Sequence, residues 1–362
     1  MLRAIQVLRA MAALMVVMHH ATVEAVILAD RGGVAFAAIG VLPWAAGVDV
    51  FFVISGFIIV HAAAPLYGVR GGWRRFLAHR VARLVPLYWL ASGLYLAVVL
   101  ALPGLLSNGG RGLAEPGFVV ASLLFWPVLD LDGRAQPLYS LGWTLQCEMA
   151  FYLLFAVALG WGRRAAVAWV AGALGLLAGL YVLVPDLPMP LAFWSAPIGL
   201  EFALGAAVGL ARAEGLRLSL APRLALALAG LALLSVAPEP DAVARPLAYG
   251  LPAMLLVAAA GLGASAGRAT SSSLPWRFGI HLGDASYALY LVHPFVLRGL
   301  RGAITGLALP ISPSASMAAM IVMAAAIALA VHRYVERPMV ARARRWLDPA
   351  GTGTRPKPVD GP

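Results

Sequence analysis

Cysteine and charged residues are scarce in this chain, and each scarcity excludes a class of protein. Cys147 is the only cysteine among 362 residues, which excludes a disulfide framework and a cysteine-based metal site, and no metal is expected. Charged residues make up 12% of the chain and hydrophobic residues 62%, a balance that soluble domains do not show. The composition therefore indicates a polytopic membrane protein.

Lysine is also nearly absent, because Lys357 is the only one and arginine supplies the rest of the positive charge. A net charge of +11 in a soluble protein would suggest nucleic acid as a partner. In a membrane protein it is typical of cytoplasmic loops that face anionic lipid. We therefore expect membrane lipid, and no nucleic acid, as a partner.

About ten apolar segments are long enough to cross the hydrocarbon core, which predicts an all-α transmembrane bundle. They lie near residues 7–28, 43–63, 84–103, 140–160, 165–184, 192–211, 222–237, 246–263, 281–299 and 315–334. The segment 118–129 is too short to span and contains Pro127, so we expect it to be re-entrant or interfacial.

The distribution of arginine predicts an orientation in the cell inner membrane. If the N-terminus is cytoplasmic, 21 of the 27 basic residues lie inside. The residues left outside are Arg31, Arg111, Arg134, Arg245, Arg298 and Arg301. This asymmetry predicts that both termini are cytoplasmic. We expect a membrane domain over residues 1–340 and a basic, Pro/Gly-rich, disordered cytoplasmic tail over 341–362. The longest outside loop, 104–139, includes Asn108 and is a candidate functional loop.

The first apolar segment carries ionisable residues at a depth where they are costly, which makes them functional candidates. Eleven residues separate Arg9 from His20. At about 3.6 residues per turn, the two share nearly one helix face, roughly 16 Å apart along the axis. His19 points about 100° away from His20. This spacing favours a long substrate that lies between Arg9 and His20. The alternative is an ordinary flanking arginine and a packing histidine.

The next two motifs carry an acid and a pair of arginines. Asp49 lies in GVDVFFVISGFII, where it could orient a histidine, bind a polar substrate or cap the helix. Arg80 and Arg83 lie three residues apart in RFLAHRVARLVPLYW and share a helix face. Paired guanidinium groups suit phosphate recognition, although a lipid-facing basic cluster is the alternative.

Three later segments contain polar residues at helical spacing. Glu148 and Tyr152 are one turn apart, and an acid at membrane depth needs a partner or a wet cavity. The segment SYALYLVHPFV places Tyr287, Tyr290 and His293 at intervals of three. His332 and Glu336 are one turn apart and form a candidate ion pair.

These motifs together resemble the acyltransferase-3 family of integral-membrane O-acyltransferases. The matches are Leu-Arg…His, GVD-FF-SGF, RxxR before PLYW, WTLxxE, SYxLYLxHP and a terminal ERP, in the family's order from residue 5 to 338. The arrangement is most similar to the exopolysaccharide branch, such as succinoglycan acetyltransferases. The resemblance implies a stand-alone membrane module without an appended soluble domain.

The resemblance also implies an activity: transfer of an acyl group, usually acetyl, from cytoplasmic acyl-CoA to a sugar hydroxyl. Acyl-CoA would be a co-substrate, with no tightly bound cofactor. The family's arginine and histidine of helix one fall on Arg9 and His20, its RxxR pair on Arg80 and Arg83, and its helix-four acid on Glu148. His19 occupies a position where the family more often has an aromatic residue.

The chemistry of these residue types fits that activity. Histidine can act as a general base on a hydroxyl, or as a nucleophile that accepts the acyl group. Glu24, Glu148 or Asp49 could fix its tautomer, and the arginines could hold CoA phosphates. Tyr152, Tyr290 and His293 are expected to contact substrate.

The expected acceptor is a saccharide or a lipid-linked oligosaccharide, with polysaccharide assembly machinery as a candidate partner. Two other functions remain open from the residues: a transporter or flippase of polysaccharide intermediates, and a non-catalytic scaffold of an export complex.

Overall fold

The computed structural model describes residues 3–37, 39–101, 115–130, 132–264 and 273–348. Within these ranges the chain is helical and forms no strand beyond one isolated bridge between Leu218 and Gly263. The predicted all-α class is therefore confirmed for the described residues.

Fourteen α-helices lie within the described ranges. In chain order they are α1 Arg3–Gly32, α2 Gly47–Ala62, α3 Gly72–Ala101, α4 Pro116–Leu123, α5 Gly142–Ala158, α6 Arg163–Leu183, α7 Leu191–Trp194, α8 Leu200–Ala213, α9 Leu220–Val236, α10 Leu251–Gly261, α11 Leu274–Asp284, α12 Ser286–Gly306, α13 Pro313–Val331 and α14 Arg337–Leu347. A π-helical turn, His332–Glu336, joins α13 to α14, and another, Pro246–Gly250, precedes α10.

Five helical segments of the described chain are long and apolar enough to cross a membrane. They are Arg3–Gly32, Trp44–Ala62, Gly72–Ala101, Arg163–Leu183 and Pro313–Leu347. Shorter apolar helices cover Gly142–Ala158, Leu220–Val236 and Pro246–Gly261. Each of the ten predicted segments contains helix, whereas the number of crossings and the side of the termini stay predictions.

Two helices extend further than the apolar pattern predicts. α3 begins at Gly72 rather than near residue 84, so Arg80 and Arg83 lie within a long helix and not in a loop. At the other end of the chain, α14 continues to Leu347, so residues 341–347 of the predicted tail are helical. Arginine, leucine and alanine are good helix formers, which explains both extensions. Residues 349–362 lie outside the described ranges.

The loop 104–139 is only partly described, and Asn108 and Arg111 lie outside the described ranges. Its helix, α4, spans eight residues and begins at a cap in which Glu115 accepts hydrogen bonds from the backbone N–H groups of Gly117 and Phe118. A re-entrant or interfacial position for this segment stays a prediction.

Helix α1 lies at the centre of the bundle, where it contacts α2, α11, α12 and α13. Small buried side chains such as Ala12, Ala21 and Ala25 let these neighbours approach closely. At Gly283, a Cβ atom would lie 1.9 Å from the carbonyl oxygen of Gln6, so only glycine fits there. This packing fixes the position of the α1 side chains relative to α11, which leads directly into α12.

Helices α2 and α8 also meet through glycine. A Cβ atom at Gly56 would lie 2.0 Å from the Phe202 carbonyl oxygen, and one at Gly205 would lie 1.9 Å from that of Val53. Gly56 is therefore a close-packing residue. The adjacent Ser55 has another partner, Glu148.

Candidate active site

A polar pocket of about 750 Å³ opens between α1, α2, α3, α5 and α12. Its polar lining consists of Arg9, Ser55, Arg80, Arg83, Thr144, Glu148, Tyr152, Ser286, Tyr287 and Tyr290. Six of the predicted site residues are therefore brought together: Arg9, Arg80, Arg83, Glu148, Tyr152 and Tyr290. The four others, Glu24, Asp49, His20 and His293, do not line this pocket.

Neutral groups hold Arg9 in the wall of the pocket. Its side chain is buried, and its Nη2 donates to Ser286 Oγ at 2.8 Å while its Nη1 donates to Gln6 Oε1 at 3.3 Å. Gln6 donates in turn to Asp284 on α11. Arg9 is therefore oriented by two helices, and no carboxylate of the described chain lies within ion-pair distance of it.

Arg80 and Arg83 lie on adjacent turns of α3 and face the same pocket. The Arg80 guanidinium lies over the rings of Phe76 and Tyr152, 5.6 Å from each ring centroid. Its Nε atom is buried and has no hydrogen-bond partner among the described residues. A buried donor without a partner is costly, so this nitrogen favours an anionic ligand.

Glu148 is the acid of this pocket. Its carboxylate accepts a hydrogen bond from Ser55 Oγ at 3.1 Å and another from the Tyr152 hydroxyl one helical turn away. The predicted proximity of Glu148 and Tyr152 is thus confirmed. Because two neutral hydroxyls hold the carboxylate opposite three guanidinium groups, the pocket carries a net positive charge when all four groups are ionised.

His20 lies behind the pocket wall that α12 forms. Tyr290 lines the pocket, and its hydroxyl lies 2.9 Å from Thr144 Oγ1. The Tyr290 ring is 6.2 Å from the ring of His293, which is fully buried and lies 5.0 Å from the His20 ring, all measured between centroids. The pocket therefore approaches His20 through Tyr290 and His293.

The structure corrects the expected carboxylate partner of His20. Glu24 contacts Arg301 at 2.5 Å and Arg298 at 3.6 Å. Asp49 accepts two hydrogen bonds from Arg245, at 2.8 and 2.9 Å.

Glu148 contacts Ser55 and Tyr152, so none of the three predicted carboxylates contacts His20. Guanidinium groups compete for Glu24 and Asp49 because they bind carboxylates with paired, charge-assisted hydrogen bonds. The His20 Nδ1 atom instead lies 2.9 Å from the Val16 carbonyl oxygen and 3.4 Å from His293 Nε2.

Asp49 also does not cap α2, since it lies in the first turn and its side chain binds Arg245. Glu201 is fully buried beside this pair and was missed by the sequence analysis. An acid inside the apolar segment 192–211 is itself a signal that could have identified it. The contact with Arg245 could not be anticipated, because the two partners lie far apart in the chain.

Two hydrogen bonds fix the end of α3 that is predicted to be cytoplasmic. Asp348, just after α14, accepts hydrogen bonds from Arg75 Nε and His79 Nε2, each at 3.0 Å. The predicted contact between His332 and Glu336 is confirmed at 2.7 Å. The hydrogen bonds of Asp348 hold the end of α14 against the part of α3 that carries Arg80 and Arg83.

A second, apolar cavity of about 380 Å³ lies on another side of α5. It is lined by Cys147, next to Glu148 in the chain, and by aromatic residues that include Phe151, Trp194 and Phe202. Cys147 is partly buried in this cavity.

Comparison with known proteins identifies the family of the chain. The sequence model of the acyltransferase-3 family, described as an acyltransferase domain, matches residues 2–333. The chain is 36% identical over 321 residues to the exopolysaccharide production protein ExoZ of Rhizobium meliloti (strain 1021), covering 86% of this chain and 94% of ExoZ. It is 29% identical over 275 residues to the acyltransferase MdmB of Streptomyces mycarofaciens, covering 69% of this chain and 67% of MdmB.

No solved structure matches the chain significantly. The family match extends over every residue of the polar pocket, from Arg9 to Tyr290, and over the two histidines behind it. On these grounds the chain belongs to the acyltransferase-3 family of membrane acyltransferases.

Proposed function

We propose that this protein is an O-acyltransferase of the cell inner membrane that moves an acyl group, acetyl as the first choice, from cytoplasmic acyl-CoA to a saccharide hydroxyl. The observation that carries the proposal is the pocket itself. Three arginines line it, and none of them has a carboxylate partner among the described residues. His20 and His293 lie behind one of its walls.

The arginines would bind the acyl donor. Coenzyme A carries several phosphate groups, and a guanidinium can donate two parallel hydrogen bonds to each of them. Arg80 and Arg83 would bind phosphate, and Arg9, which lies deeper in the bundle, would lie along the pantetheine arm.

His20 would catalyse the transfer of the acyl group. It either takes the proton of the acceptor hydroxyl or first accepts the acyl group itself. In both routes a new C–O bond forms in the product, the thioester C–S bond breaks, and the CoA thiolate leaves and takes up a proton. Tyr290, which lines the pocket, would contact the substrates, whereas the predicted substrate contact His293 is fully buried between Tyr290 and His20.

The acceptor proposed here is a cell-surface or lipid-linked saccharide used in exopolysaccharide production. Support comes from the extended similarity to ExoZ, whose name assigns it to that process. The acceptor would lie on the outer side of the membrane or within the bilayer. Polysaccharide assembly machinery is a proposed partner of the protein.

The test uses purified protein in lipid vesicles, with acetyl-CoA labelled in the acetyl group and with extracted exopolysaccharide precursor as acceptor. We expect base-labile label in the saccharide, and little or no label with His20→Ala. Transfer of the saccharide across the vesicle membrane without labelling would instead identify a flippase. Unchanged acylation of surface polysaccharide in cells that carry His20→Ala would favour a scaffold.

A further inference from the structure

His293 is the residue of α12 that lies closest to His20 in the described contacts. Its side chain is fully buried, its Nδ1 lies 3.0 Å from the Leu289 carbonyl oxygen, and its Nε2 lies 3.4 Å from His20 Nδ1. Both histidines therefore use their Nδ1 atoms against a carbonyl one turn earlier in their own helix.

The carbonyl contacts fix the tautomer of each ring. A carbonyl oxygen only accepts hydrogen bonds, so His293 Nδ1 must carry the hydrogen, and in the neutral ring His293 Nε2 is then an acceptor. The same reasoning applies to His20, whose Nδ1 lies 2.9 Å from the Val16 carbonyl oxygen. His20 Nε2 is consequently the nitrogen with a free lone pair, and no described residue is hydrogen-bonded to it.

These contacts form a chain of hydrogen bonds in which His20 donates to His293 and His293 donates to Leu289. His293 Nδ1–H donates to Leu289, and His20 Nδ1–H is shared between the Val16 carbonyl oxygen and His293 Nε2. This order leaves His20 Nε2 as the base. In catalytic triads a carboxylate occupies the place that His293 has here, where it fixes the tautomer and stabilises the protonated ring.

The carboxylates nearest in sequence or space cannot take that place, because each has another partner. Glu24 is held by Arg301 and Arg298, and Glu148 by Ser55 and Tyr152. A neutral acceptor suits a buried position, since it needs no counter-ion of its own.

We propose that His293 is a positioning residue for the transfer reaction, which orients His20 and accepts a hydrogen bond from its protonated ring. The inference rests on the proposed function and specifies its proton path. The acceptor O–H proton moves to His20 Nε2 as the hydroxyl oxygen forms its bond to the thioester carbonyl carbon. The thioester C–S bond then breaks, and His20 returns the proton to the leaving CoA thiolate, while His293 stays neutral throughout.

The test compares two amides at position 293. In His293→Gln the side-chain amide oxygen reaches the place of Nε2 and can accept from His20. In His293→Asn the amide reaches only the place of Nδ1. His293→Phe keeps the ring volume without an acceptor, and His281→Gln, at an exposed position on α11, is the matched control.

We expect His293→Asn and His293→Phe to lower kcat by about 10- to 100-fold, the size of a lost hydrogen bond to a charged group. The KM for acyl-CoA should stay unchanged, because the arginines are untouched. His293→Gln should keep most of the wild-type kcat, and His281→Gln all of it. Thermal unfolding of each variant shows whether it is folded, and the comparison of Gln with Asn does not depend on the Phe variant.

Equal kcat values for folded Gln and Asn variants would overturn the role of His293, as would wild-type kcat in the Phe variant. The proposed function would survive either result as long as the wild-type protein transfers label. If the wild-type protein transfers none, the proposed function and the role of His293 both fall.

Discussion

The arginines of the polar pocket differ in their partners from other arginines of the chain. Arg245 binds Asp49 and Arg301 binds Glu24, so their charges are compensated within the protein. Arg80 and Arg83 form no such pair among the described ion pairs, although both line a cavity. A cation that lines a cavity and has no counter-ion in the protein is best explained by the binding of an anionic ligand.

Replacing Arg80 or Arg83 with alanine should raise the KM for acyl-CoA by about tenfold or more, because each would lose charged hydrogen bonds to phosphate. Lysine should restore part of the affinity, since it keeps the charge but lacks the paired donors. The measurement is steady-state kinetics with varied acyl-CoA. Arg74→Ala is the matched control, because Arg74 lies on the same helix but is exposed over Trp73. Unchanged donor KM in both alanine variants would identify a lipid-facing basic cluster.

Replacing His20 with alanine should lower the transfer rate by about 10²–10⁴-fold, the usual effect of losing a positioned base. His19→Phe should be tolerated, because His19 points to another side of α1 and its ring meets His20 only edge-on. Both variants should insert into the membrane at wild-type levels. An inactive His19→Phe beside an active His20→Ala would reverse the assignment.

At the level of helices, the site depends on how closely α2 approaches α8, since α2 carries both Ser55 and Asp49. The backbones are in contact at Gly56 and Gly205, where no larger residue fits without movement. Close approach through glycine is a common way for membrane helices to pack. The position of Ser55 against Glu148 therefore depends on residues that touch no substrate.

Gly205→Ala should destabilise the fold by about 1–3 kcal/mol, the usual range for an overpacked core, because its Cβ would overlap the Val53 carbonyl oxygen. Gly172→Ala, on α6, is the control, since nothing lies within 4 Å of its Cβ. It should be neutral or slightly stabilising, because alanine favours helix over glycine. Thermal unfolding in detergent compares the two. Equal melting temperatures for both variants would show that α2 and α8 are less closely packed than the contacts at Gly56 and Gly205 indicate.

The sequence predicted helices better than it predicted their contacts. Apolar runs identified the segments, and the family resemblance, rather than the apolar pattern, implied that Arg9, Arg80, Arg83 and Glu148 belong to one site. They did not identify the partner of Asp49, because that partner depends on the relative rotation of α2 and the helix that begins near Arg245. The start of α3 was also missed, since its first turns are arginine-rich and therefore invisible to an apolar pattern.

For the whole molecule, the pocket arginines differ from arginines on both predicted sides of the membrane. Arg245, Arg298 and Arg301, predicted to lie outside, contact acids. Arg75 and Arg164, predicted to lie inside, also contact acids. The pocket arginines contact none among the described pairs, so their lack of acid partners distinguishes the pocket rather than one side of the membrane, and the orientation stays a prediction.

Reporter fusions can test that orientation. A fluorescent protein fused after Arg70 should fold in the cytoplasm, and alkaline phosphatase fused after Arg134 should be active outside, because the positive-inside asymmetry favours both placements. Exchanging the two reporters at the same sites supplies the control. Phosphatase activity at Arg70 would reverse the orientation, and with it the cytoplasmic origin of the donor.

The second cavity has a practical consequence. Cys147, the only cysteine in the chain, lines it beside Trp194, whose ring packs against that of Trp126 at 5.1 Å between centroids. Cys147 is also one residue from Glu148, which lines the polar pocket. The rate at which a small thiol reagent modifies this native cysteine should therefore report how α5 responds when the neighbouring pocket fills.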